Sequence, residues 1–175
     1  DGVTISDVQL EIANQKIVQE NLSNNVTIYK GDYHQLNSLP VEDNYYDVVL
    51  FLESLGHSNQ VAVAIEQAAG KLKTGGMLYI KDFYKKQSIH PAEQKKIDSV
   101  IDNINKNYAY NTLDLVEVES AINQAGLKLV SKEYFDFTDD ISVRFEFEKA
   151  NKIDIFEGMN EFYPADWLEI KCVKL

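Results

Sequence analysis

Cysteine is nearly absent: Cys172 stands alone in 175 residues, which excludes an internal disulfide and any cysteine-based metal site. Arginine is equally scarce, with Arg144 the single arginine among 17 basic residues. Against these stand 28 acidic residues, for a formal net charge of −11. No lysine cluster forms a stripe with aromatics interleaved, so nucleic acid and anionic membranes are not expected partners, since affinity there rests on neutralising phosphates. No apolar run reaches membrane-spanning length and no secretory leader is visible, which predicts a cytoplasmic location with no membrane span. The three histidines show no metal-ligand spacing, so no metal is expected. Repeats, low-complexity stretches and Pro/Gly-rich linkers are missing too. The chain is therefore read as one domain over 1–175, and 45% hydrophobic residues suffice for a sizeable core.

What is present starts with Tyr46-Asp47-Val48-Val49-Leu50-Phe51-Leu52-Glu53-Ser54-Leu55-Gly56-His57. An apolar run of strand length, covered on both faces, is how parallel α/β strands are written. It ends in a carboxylate, a hydroxyl and an imidazole, and ligands of such sheets sit beyond the carboxyl ends of the strands. Glu53, Ser54 and His57 fall there, although Ser54 and His57 can equally just open the next helix.

Strand and helix patterns alternate along the whole chain. Strands are predicted at 2–5, 26–30, 47–52, 77–83, 127–137 and 167–173. Ser6 caps a helix whose Leu10, Ala13 and Ile17 share one face, and a helix over 59–73 carries Val61, Ile65, Ala68 and Leu72 and stops at Gly75-Gly76. Pro91 suits the first turn of a helix with Ile97, Ile101 and Ile104 inward. Leu115, Val118, Ala121 and Ala125 mark another, ended by Gly126. Ile141, Val143, Phe145 and Phe147 alternate as a half-exposed strand would, while Thr138-Asp139-Asp140 makes a good helix start. The alternation predicts a doubly wound, mostly parallel α/β sheet.

Four stretches, in this order, resemble the class I S-adenosylmethionine-dependent methyltransferases, nearest the branch of cyclopropane fatty-acid synthases and small-molecule C-, N- and O-methyltransferases. They are Gly2-Val3-Thr4-Ile5-Ser6-x-x-Gln9; Gly31-Asp32-Tyr33 with Leu39-Pro40; Tyr46-Asp47-x-Val49 through Glu53-Ser54-x-x-His57; and Leu72-Lys73-Thr74-Gly75-Gly76-x-Leu78-x-Ile80-x-Asp82. The likeness covers 1 to about 135. It implies a Rossmann-like fold, S-adenosylmethionine as cofactor, and methyl transfer to a small-molecule or lipid-like acceptor. It also tips 138–150 towards helix.

The resemblance assigns Thr4, Ile5 and Gln9 to the adenosine half of the cofactor and Asp32 and Tyr33 to adenine. Leu52 and Glu53 pass under the methionine portion, and Glu53 and His57 stand where catalytic groups would. Gln9 can instead complete a capping box with Ser6, and Gly31-Asp32 can simply form a turn. His34 and His90, without such context, are read as surface residues. Asp82 either reaches the substrate pocket or is a solvated loop carboxylate. Tyr84, Tyr108 and Tyr110 lie in a region that shapes the family's substrate cavity, where aromatics usually pack. Residues 1–83 would form the cofactor-side core and 84–114 and 138–165 the variable substrate-side segments.

Two departures qualify this picture. The glycine-rich Asp/Glu-x-Gly-x-Gly loop is absent, and Gly2 does not supply it, because the residues after Gly2 match the family's second strand. The chain also opens on Asp1 with no methionine, on what reads as a strand under way. The expectation is a fold N-terminally truncated relative to the family, each half of the sheet presenting an unpaired edge: either the segment is lost, or a homo-oligomer or a second chain supplies it, or the protein has rearranged. The alternative is a catalytically inactive, methyltransferase-like binding or scaffold subunit. A dehydrogenase would need a Gly-x-Gly-x-x-Gly that is also lacking. The second departure is Gly56, where cyclopropane synthases carry a glutamate that helps hold bicarbonate; simple methyl transfer is expected instead.

Overall fold

Two parallel strands, β1 (Gly2–Thr4) and β2 (Ile28–Lys30), frame the first helix, α1 (Asp7–Gln19). The computed structural model describes residues 1–136, 140–159 and 162–175. After β2 come a 3₁₀ turn at Tyr33–Ser38, strand β3 (Tyr46–Leu52), a second 3₁₀ turn at Leu55–His57 and helix α2 (Val61–Lys71). Strand β4 (Leu72–Lys85) leads to α3 (Pro91–Tyr108) and α4 (Leu115–Gln124). The chain continues through β5 (Leu127–Phe135), α5 (Asp140–Asn151) and β6 (Ala165–Lys174).

The strands form two sheets, β1-β2 and β3-β4-β6-β5. The division falls where the family resemblance places it, between strands 2–5 and 47–52. β3 and β4 are parallel, and β6 runs antiparallel to both neighbours. β6 is thus the one reversed strand of its sheet, which is not purely parallel.

Alternation in β4 explains the core. Leu78, Ile80 and Tyr84 point to one face and are buried with Ile65, Ala68 and Leu72 of the α2 side and Val118 and Ile122 of α4. A second cluster packs Ile97, Val100 and Ile101 of α3 against Ile155, Phe156 and Met159. Pro91 opens α3 at its first turn, and Gly126, at φ +72°, lies just past α4 in the left-handed conformation that glycine adopts without strain.

The structure corrects several expectations. β3 is covered on one face only among the described residues: Phe51 is buried, whereas Val48, Leu50 and Leu52 are 47%, 55% and 56% exposed. The physical reason is that α2 packs on the Phe51 side, while α1 packs on β1 and β2. The face of α1 that carries Leu10, Ala13 and Ile17 is only half-buried. α2 ends at Lys71, and β4 begins at once, with Gly75 and Gly76 inside an irregular part of the β3–β4 pairing and not at a helix stop. The 141–147 segment, by contrast, is helical, in α5, as the resemblance implies, with Val143, Phe145 and Phe147 exposed. Phe137, Thr138 and Asp139 lie outside the described residues.

Candidate functional site

The sequence-predicted residues lie along one rim, at the carboxyl ends of β1, β2, β3 and β4. At β1, the Thr4 hydroxyl donates to Gln9 Oε1 at 2.6 Å and accepts the Ser6 N–H at 3.2 Å. Ser6 Oγ caps α1 through the Gln9 N–H at 3.2 Å. This is half a capping box: Gln9's side chain turns to Thr4 and leaves its Nε2 donor without a partner among the described residues. Ile5 beside them is exposed. The Gly31 N–H donates to the Thr4 carbonyl at 3.0 Å, which ties the end of β1 to the start of the Asp32 turn.

Asp32 Oδ1 accepts the His34 N–H at 2.9 Å and lies 2.6 Å from His34 Nδ1. The His34 backbone donor is the main cause that holds the Asp32 carboxyl below the usual carboxylate range. An ionised carboxylate only accepts, so Nδ1 donates to it; in the neutral ring Nε2, 2.7 Å from Ser58 Oγ, then accepts from that buried hydroxyl. His34 is therefore not the surface residue the sequence suggests but a bridge between two loops. Its partner Ser58 lies 24 positions away, beyond any local pattern. Asp32 Oδ2 has no partner among the described residues. Tyr33 is half-buried: its hydroxyl donates to the Ser54 carbonyl at 3.1 Å and its ring meets Phe51 edge-on at 5.6 Å. Burial raises its phenol pKa.

At the end of β3, Leu52 and Glu53 are exposed, and Glu53 adopts φ +49°. A left-handed non-glycine residue costs on the order of 1–3 kcal/mol and clusters at functional sites. The Glu53 N–H donates to the Lys81 carbonyl at 2.7 Å, which holds that turn. Among the described residues no hydrogen bond joins Glu53 to His57. His57 is exposed, with Nδ1 3.1 Å from the Ala109 carbonyl.

Asp82, from the end of β4, is neither solvated nor on a loop. It is fully buried and accepts the Gly56 N–H at 3.0 Å, the Phe83 N–H at 2.9 Å and the Tyr110 hydroxyl. Burial pushes its carboxyl up to about 6 against the pull of those backbone donors, and the Glu53 charge adds to the rise. Asp82 could have been read from sequence, because it falls in phase with Leu78, Ile80 and Tyr84, all buried. Tyr110 sits in an aperiodic loop and gave no such signal. Tyr84 packs in the core.

Gly56 makes this corner possible. A Cβ there would stand 2.1 Å from Tyr110 Cζ, so only a glycine lets the ring lie over the turn. The described residues contain no group of three or more side chains able to hold a metal. A concavity of about 670 Å³ between α2 and α4, lined by Ala62, Asp114, Val116 and Glu117 among others, shares no residue with the rim.

The alternating helices and mostly parallel strands, with a hydroxyl–amide pair, a carboxylate and an imidazole at the strand ends, make this a Rossmann-like α/β domain. Residues 1–80 match the family described as "Methyltransferase domain". The chain is 29% identical over 160 residues to 27-O-demethylrifamycin SV methyltransferase of Amycolatopsis mediterranei, across 91% of this chain and 54% of that protein. It thus spans about half the length of this curated relative. Among solved structures it resembles geranyl diphosphate C-methyltransferase of Streptomyces coelicolor, with a TM-score of 0.78 at 15% identity, covering 99% of this chain and 64% of that one. It also resembles the cyclase SpnF, with a TM-score of 0.70 at 17% identity, covering 99% and 64%. Together these likenesses support a class I S-adenosylmethionine-dependent methyltransferase. No helix among the described residues is long and apolar enough to cross a membrane.

Proposed function

We propose that the protein transfers a methyl group from S-adenosylmethionine to a small-molecule or lipid-like acceptor. The observation that carries this reading is the rim itself: nucleoside-type partners at one end, and an imidazole with one nitrogen engaged at the other. The residues fit the cofactor's nucleoside half. Gln9 Nε2 is a free donor beside the Thr4 hydroxyl, suited to a ribose, and Asp32 Oδ2 is a free acceptor suited to an adenine amino group. Ile5 and Tyr33 offer apolar surface beside them, and Leu52 does the same nearer Glu53. When bound, the cofactor supplies an electrophilic methyl group on a sulfonium.

This chain's own residues orient the acceptor and take its proton. His57 Nδ1 faces a carbonyl, which leaves Nε2 to accept the proton of a hydroxyl or amine as it becomes nucleophilic. Glu53, exposed at the same strand end, orients the acceptor by accepting a hydrogen bond. Most of such catalysis is placement of two reactants in line. Cyclopropanation is disfavoured because Gly56 carries no carboxylate, and its α-carbon is covered by Tyr110.

Titrating residues 1–175 with S-adenosylmethionine, followed by mass spectrometry on candidate acceptors, tests the proposal. Weak binding is expected, because this chain has no Asp/Glu-x-Gly-x-Gly to bring backbone against the methionine portion. A methylated product supports the reading. A cyclopropane product from an unsaturated lipid, or turnover that depends on bicarbonate, overturns it. The missing glycine-rich loop motivates the second reading, a binding or scaffold subunit with no methyl transfer, which cofactor binding without product would favour.

A further inference from the structure

Two groups beside His57 take no part in its proton transfer: the buried Asp82 carboxylate and the Tyr110 phenol. We propose that Tyr110, anchored on Asp82, is a positioning residue that pins residues 109–111 against the 55–58 turn, so that the Ala109 carbonyl holds His57 as its Nδ1–H tautomer and leaves Nε2 as the acceptor. This rests on the role given to His57 under the proposed function.

The contacts converge on one small area. The Tyr110 hydroxyl donates to Asp82, its ring stands edge-on to His57 at 4.9 Å and 88°, and its N–H donates to the Asn105 carbonyl at 3.0 Å. Next to it, the Asn111 N–H donates to the Gly56 carbonyl at 2.6 Å and Asn111 Nδ2 to the Ser58 carbonyl at 3.1 Å. Residues 109–111 thus touch the turn on both sides of His57. Ala109, at φ +49°, ends α3 in a left-handed conformation that these bonds sustain. A carbonyl oxygen only accepts, so the 3.1 Å contact from Ala109 requires the proton on Nδ1. The imidazole is otherwise exposed, and this is its described polar tether. The tether is only as firm as the segment that carries Ala109. Tyr110 supplies that firmness through a carboxylate that cannot move, because Asp82 is fully buried and also holds the backbone of Gly56 and Phe83.

Side-chain ¹⁵N NMR of the histidines tests this in the protein as it stands, at a pH where the ring is neutral. Wild type is expected to show His57 mainly as Nδ1–H. Tyr110→Phe keeps the ring but releases Asp82 and should lower the Nδ1–H to Nε2–H ratio about 3- to 10-fold, the scale of one net hydrogen bond. Asn111→Ala should move the ratio the same way, and Tyr108→Phe, outside the contact, should not. A wild-type His57 that is mainly Nε2–H, or a folded Tyr110→Phe protein with the wild-type ratio, overturns the proposal. If Tyr110→Phe does not fold, a folded Asn111→Ala protein with the wild-type ratio overturns it instead. The readout needs no acceptor. A protein that shows this tautomer yet methylates nothing supports the positioning role and overturns the proposed activity.

Discussion

The two ends of the rim are held by opposite strategies. Around β3 and β4, exposed Glu53 and His57 stand over a buried layer backed by the main core, in which Asp82 takes three donors and Gly56 admits an aromatic ring directly above its backbone. Around β1 and β2, Thr4, Gln9 and Asp32 sit on a two-stranded sheet whose helix α1 buries no residue fully. The first end is preorganised before any ligand arrives. The second keeps unpaired donors and acceptors, as a site that completes its hydrogen bonding with a ligand must. On the proposed function, rigidity would serve the proton transfer and open valence the nucleoside, two different tasks.

The largest test of that contrast is His57→Ala in the active protein. Turnover should fall about 10²- to 10⁴-fold if His57 is a general base, with the cofactor dissociation constant little changed. A change in cofactor affinity alone would merge the two ends functionally. On stability, Ile65→Ala removes a fully buried core side chain and should cost about 2–5 kcal/mol in chemical denaturation, whereas Leu10→Ala on half-buried α1 should cost less than about 1 kcal/mol. Equal costs would show that α1 is as firmly packed as the core.

Asp82 gives the contrast a pH dependence. Its carboxyl is raised to about 6, so the native state holds its proton more tightly than the unfolded chain does. The stability this confers is complete below the unfolded value near 3.8 and is lost as pH rises through about 6. Relative to Asp82→Asn, wild type should lose on the order of 2–3 kcal/mol between pH 4 and 7, read from denaturation midpoints. A flat difference would place Asp82 in water. Asp32 tests the other end: Asp32→Ala should weaken cofactor binding by about 1–3 kcal/mol. An unchanged dissociation constant would reduce Asp32 to a cap of the 33–38 turn and an anchor for His34.

Much of the fold was legible because its signals are local. Helix starts at Ser6 and Pro91, the stop at Gly126, and the 3.6-residue spacing of Val61, Ile65 and Ala68 each depend on residues a few positions apart. The boundary between α2 and β4 was misplaced because Gly75-Gly76 punctuates a strand irregularity as readily as a helix end. For the site, residue types at strand ends were legible as a set, while their partners were not. His34 meets Ser58, and Tyr110 meets Asp82 across 28 positions.

The resemblance placed the division between strands 2–5 and 47–52; the pattern of the sequence by itself determined the alternation of elements and the polar residues that end the 47–52 run. These arise from side-chain periodicity and turn chemistry, which act over a few bonds. Only the tertiary structure decided that β3 is covered on one face, that Asp82 is buried with a raised pKa, and that the Tyr110 ring lies over Gly56 and edge-on to His57. Burial and long-range hydrogen bonding depend on which distant segments fold back onto a residue, and no local pattern carries that information.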